Sequence, residues 1–75
     1  MKNIPIIDTI ETGKNIVKLR KENNLSVRDL QTIFGFNSSQ AIYKWQQGIN
    51  LPTVDNLVVL ASLFNTTIDA ILVLK

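Results

Sequence analysis

Cysteine and histidine are both absent from the 75 residues. The first absence excludes disulfides, and the two together remove the usual zinc-binding sets. They also remove the Cys–His and Ser–His pairs of nucleophilic catalysis. Glycine and proline are scarce, at three and two, which disfavours a turn-rich β protein. No apolar run approaches the roughly 20 residues that cross a bilayer. The opening MKNIPIIDTIE has its short apolar run broken by Pro5 and Asp8, and it lacks the pattern of a secretory signal. The expectation is a cytoplasmic protein without a membrane partner. Asp8, Glu11, Asp55 and Asp69 lie far apart and mostly at helix starts, so they read as dipole or cap residues rather than an acid–base pair. No Gly-rich phosphate loop is present. Nothing calls for a metal or cofactor, and an enzyme is not expected.

What is present suits one small helical domain. Apolar residues make up 45% of the chain, enough for a core without staples. Charge is uneven. Residues 14–44 hold six Lys and Arg against two acidic residues, a net +4, while the segments on either side are each −1. That is a faint footprint for a polyanion partner. A solvated helix face is the plainer account of Lys14, Lys18 and Lys21.

The pattern divides the chain into an extended arm, residues 1–8, and a domain over 9–75. Pro5 keeps the arm from starting a helix, so it should pack on the body or pair with another strand. A first helix should begin between Thr9 and Thr12 and end at Asn23-Asn24, with Ile16 and Leu19 inward. A second begins at Ser26, where Ser26 and Asp29 form a capping box and Leu25 and Leu30 a hydrophobic staple. Leu30, Ile33 and Phe34 make its buried stripe, and Gly35 its left-handed end.

A third helix, about 38–47, should be capped by Asn37 or Ser38, with Asn37 and Gln40 as a second capping box. Its Ala41, Ile42 and Trp45 face inward. Ser39, Gln40, Tyr43, Lys44 and Gln47 face outward, and Gly48 closes it. Thr53 caps a fourth helix, whose Leu57, Leu60, Ala61 and Phe64 follow the spacing of a core face. Asn65 stops that helix, and Thr67 caps a short fifth over Ile68 to Leu72. The apolar tail should dock on the body, on the arm or on a second copy.

Two short helices joined by a Gly-containing turn form a helix-turn-helix. The second has an apolar side to anchor it and a polar side of the right size for the DNA major groove. Gln40 suits an adenine edge, Lys44 guanine or phosphate, and Ser39 either bases or phosphate.

At Leu19-Arg20-Lys21-Glu22, Leu25-Ser26, Leu30, Phe34-Gly35, Ile42-Tyr43-Lys44-Trp45, Gly48, Leu51-Pro52, Leu57, Leu60-Ala61, Phe64 and Ile68-Asp69 the chain resembles the Cro/repressor-type, XRE-like, helix-turn-helix regulators. The resemblance spans about residues 12–72. It implies an all-α, five-helix bundle of the lambda-repressor-like type. It also implies a sequence-specific transcriptional regulator, usually a dimer and here expected to be a repressor, on double-stranded DNA. Carried over position by position, Asn37, Ser38, Ser39, Gln40, Tyr43 and Lys44 fall at or beside the family's DNA-facing positions. Arg28, Asn50 and Thr53 fall in its phosphate-contact zones.

Three departures stand out. The turn is one residue longer than the family's usual turn, which makes the facing of helix 3 the open point. Gln31 replaces a small residue, with room for its amide to bond nearby backbone. Arg20 faces Gln46 where the family often has Glu, leaving a hydrogen bond in place of an ion pair. The apolar Leu72-Val73-Leu74 also motivates an alternative: the same fold as a protein-interaction module, such as an antitoxin or bridging factor.

Overall fold

Asp8 turns an extended arm into the first helix. Its side chain accepts the Glu11 N–H at 3.0 Å, a cap that satisfies one of the unpaired donors of the first turn. The computed structural model describes residues 3–75. The first two residues of the expected arm, Met1 and Lys2, lie outside the described residues. Five helices follow: α1 Thr9–Glu22, α2 Val27–Phe34, α3 Gln40–Gln47, α4 Val54–Leu63 and α5 Ile68–Ile71. Among the described residues extended pairing is confined to one antiparallel bridge, Ile7 with Leu74. No helix there is long and apolar enough to cross a membrane.

Several short-range signals act as expected, although Thr53, at the cap position of α4, makes no side-chain cap bond. Asn24 and Asn65 take left-handed φ of 57° and 55° after α1 and α4. Both halves of the Ser26–Asp29 capping box form, at 2.9 and 2.8 Å. Thr67 accepts the Ala70 N–H at the start of α5, which ends at Ile71 rather than Leu72. Gly35 and Gly48 close α2 and α3 at φ 69° and 76°.

The core joins Ile16, Leu30, Ile42, Trp45, Leu57, Leu60, Ala61, Phe64 and Ile71. It draws on all five helices, so none of them is stable by propensity alone. Ile33 departs from expectation. It is 48% exposed, because burial on α2 centres on Leu30 and Phe34, and Ile33 stands one step around the helix beside exposed Asp29.

The ends of the chain hold each other. Asp8 N–H donates to the Val73 carbonyl at 2.7 Å, and Lys75 N–H to the Ile6 carbonyl at 2.8 Å. Thr12, fully buried on α1, accepts the Val73 N–H at 2.9 Å. Asn15 donates to the last carbonyls of α5, Ala70 and Ile71, at 2.8 and 2.9 Å. The tail therefore docks on its own arm and on α1, and Leu72 and Val73 are partly covered.

Candidate nucleic-acid interface

Ile42 and Trp45 are buried on the inner side of α3. Three aromatic rings secure that side. Phe34 and Phe36 stack at 5.2 Å, and each meets Trp45 edge-on, at 5.5 and 5.9 Å, the geometry that ring quadrupoles favour. Against α1 the helix approaches closely at Gly13, where a Cβ would come within 2.5 Å of the Trp45 and Gln46 carbonyl oxygens. Arg20 then ties α1 to the end of α3, its Nε donating to the Gln46 amide oxygen at 3.0 Å. The same guanidinium donates to the Leu25 carbonyl at 2.9 Å.

With its inner side so held, α3 turns Gln40, Tyr43, Lys44 and Gln47 to solvent. They recur at the three- and four-residue spacing of one helix side. The helix begins later than expected. Residues 37–39 form a bend, and the cap position belongs to Ser39, which makes no side-chain cap bond. The expected cap at Asn37 or Ser38, and the box of Asn37 with Gln40, do not form. Instead the Ser38 hydroxyl accepts the Gln40 N–H at a long 3.4 Å. The physical reason is the turn, where five residues, 35–39, separate α2 from α3, so the chain reaches helical dihedrals two residues later.

Gln31 and Phe36 hold that longer turn in a reciprocal pair. The Phe36 N–H donates to the Gln31 carbonyl at 3.0 Å, and the Gln31 amide donates to the Phe36 carbonyl at 3.3 Å. The larger residue at position 31 thus serves the turn's backbone.

Beside α3 lies an open groove of about 340 Å³ lined by Phe36, Asn37, Ser38, Gln40, Ala41, Lys44 and Asn50. Asn37, Ser38, Gln40, Lys44 and Asn50, all expected at the site, meet here. Tyr43 stands outside the groove on the same helix, 47% exposed. Ser39 is half-buried at the cap. Arg28 is exposed on the first turn of α2, and Thr53 is exposed before α4; neither lines the groove. The Thr53 hydroxyl donates to the Asp55 carboxylate. This bond, the largest influence on Asp55, lowers its pKa and keeps a negative charge beside one expected phosphate contact. Phe36 and Ala41, which the sequence pattern marks only as packing residues, also line the groove. Their place in the groove has no local sequence signal, because it depends on how the turn folds over α3.

An inner-anchored helix with a polar outer side, set after a capped helix and a glycine turn, defines the helix-turn-helix class. A sequence profile described as Helix-turn-helix matches residues 16–71. The chain belongs to that family, in its Cro/repressor-type, XRE-like form. The fold is similar to that in "Crystal structure of the DNA-binding domain of BldD", with a TM-score of 0.70 at 18% identity, covering 87% of this chain and 93% of that one. No curated protein sequence matches. The family membership places the chain among DNA-binding helix-turn-helix regulators rather than enzymes.

Proposed function

We propose that the protein is a sequence-specific transcriptional regulator, a repressor, that inserts α3 into the major groove of double-stranded DNA. One observation carries this reading: the polar outer side of α3 is presented by a helix whose inner side is locked by Ile42 and Trp45. Gln40, Lys44, Asn37, Ser38 and Asn50 share one groove free of acidic side chains. In this reading Gln40 and Lys44 read base edges, with Tyr43 and Ser39 beside them. Arg28, Asn50 and Thr53 hold phosphates, positioning the protein without reading sequence. Residues 9–75 act as the DNA-binding unit, in the cytoplasm, with the arm as an accessory to it.

The working form is a homodimer on paired half-sites about 34 Å apart. The arm and the tail, two separate candidates for its surface, are joined by the Ile7–Leu74 bridge. The resulting ribbon exposes Ile4, Ile6 and Leu74, apolar residues a second copy would cover. A separate protein partner is the weaker reading, since Leu72 and Val73, which motivated it, pack within the chain.

Selection of bound sequences from random DNA, followed by titration at several salt concentrations, tests the reading. The selected sites should be two-fold symmetric. Log affinity should fall with log salt. Gln40→Ala should change the preferred base, whereas Arg28→Ala should weaken all sites alike and reduce the salt slope by roughly 1. No DNA binding at low salt would overturn it.

A further inference from the structure

We propose that Phe36 and Ala41 form an apolar floor in the groove beside α3 that recognises the 5-methyl group of a thymine in each half-site. The inference rests on the reading of this face as a DNA interface and adds a base class to it. The groove has two kinds of lining. Asn37, Ser38, Gln40, Lys44 and Asn50 are exposed and polar, and they form its rim. Phe36 and Ala41 are half-buried, pack on the core, and supply its carbon surface.

That combination matches one edge of one base pair. In the major groove adenine offers N7 and an amino group, which suit amide side chains. Its partner thymine offers a carbonyl and the groove's one methyl group. Guanine and unmethylated cytosine present no methyl group to an apolar floor. Three amides on the rim, Asn37, Gln40 and Asn50, around a carbon floor therefore favour an A·T pair, with Gln40 on adenine and the floor under the thymine methyl.

The floor is also rigid. Phe36 stacks on Phe34 and meets Trp45 edge-on. Its backbone is bonded to Gln31 in both directions, at 3.0 and 3.3 Å. A fixed aromatic surface discriminates a methyl group better than a mobile chain, because no ordering entropy is lost on contact. The lengthened turn and the unusual Gln31 thereby acquire a single role: they hold Phe36 under the groove.

The test uses the intact chain and a selected DNA site in which each thymine is replaced in turn by uracil, which removes the methyl alone. One position per half-site should lose affinity roughly fourfold, the effect of withdrawing one buried methyl. The thymine-to-uracil ratio at that position should move toward one in Phe36→Leu and in Ala41→Ser, with circular dichroism confirming that each variant is folded. Sequence-specific binding that ignores uracil at every position would overturn the inference and leave the DNA-binding reading standing. So would a sensitive position whose ratio is unchanged in both variants. Absence of any DNA binding would overturn both.

Discussion

Gly48 lies against the first turn of α1, so close that a Cβ there would stand 2.7 Å from the Ile10 Cα. Two elements distant in sequence thus meet backbone to backbone, and the end of α3 is set relative to the start of α1.

Gly35 provides the control for that contact. Both glycines are left-handed, at φ 69° and 76°, but nothing lies within 4 Å of a Cβ built on Gly35. Alanine at either position meets the left-handed penalty of about 1–2 kcal/mol. Gly35→Ala should cost only that. Gly48→Ala should cost at least about 1 kcal/mol more, because backbone must move, and this adds roughly 4–8 °C to its fall in Tm. Thermal denaturation of the two variants decides the matter: equal losses would mean that the approach to Ile10 is readily relaxed.

Gln46→Glu should stabilise the protein. The Arg20–Gln46 bond has an ionised donor and a neutral acceptor, and an ionised acceptor would add a Coulombic attraction to a bond that is already charge-assisted. A gain of up to about 1 kcal/mol at neutral pH is expected for such a partly exposed ion pair. The introduced carboxylate would have its folded-state pKa lowered by Arg20. Its contribution is thus present above the unfolded value of about 4.3 and lost as pH falls through the folded value. Urea unfolding of variant and parent at neutral and acid pH should show the gain in the first case and not in the second.

The start of α2 should weaken in acid. The Asp29 pKa is lowered, first by the Ser26 backbone N–H and then by the Ser26 hydroxyl. A lowered folded-state value means stability that is present above the unfolded carboxylate value, about 3.9, and lost as pH falls through the lower folded value. Ser26→Ala should cost about 1 kcal/mol at neutral pH yet keep much of the acid sensitivity, since the backbone donor remains. Asp29→Asn should remove it, so that variant and parent converge in strong acid. Asp55, lowered by the Thr53 hydroxyl, leaves a residual acid dependence in every variant. Acid unfolding profiles that are superimposable for Asp29→Asn and the parent would refute the assignment.

Much of the helical framework could be read directly from short-range chemistry. Ser26 with Asp29, Gly35, Gly48, Asn24, Asn65 and Thr67 act through bonds or dihedrals within a few residues. The inner face of α4 follows from periodicity, and Leu57, Leu60, Ala61 and Phe64 are all buried. Ile33 misled for the same reason: its spacing fits a helix side, but which side is covered depends on where α2 meets its neighbours. The start of α3 was placed too early because Asn37 and Ser38 are good cap residues in isolation. Within the longer turn they stand short of the helix.

The residues that secure the ends could not be read locally. Thr12 meets Val73 and Asn15 meets Ala70 and Ile71 across more than 50 residues of chain. Neither side chain differs in type from an ordinary exposed polar residue. The candidate site divides in the same way. Gln40, Tyr43 and Lys44 were visible from the polar side of one helix, whereas the grouping of Gln40 and Lys44 with Asn37, Ser38 and Asn50 over Phe36 and Ala41 comes from the fold.

By itself, then, the sequence determined an all-helical domain with a capped second helix, a glycine-closed turn and a third helix that is polar outside and apolar inside. Those features rest on local hydrogen bonding and on the helical period, which a linear pattern records. Tertiary structure decided where α3 begins, that arm and tail form one ribbon, and that an aromatic turn residue underlies the polar groove. These depend on packing between segments far apart in the chain, which local propensity does not specify.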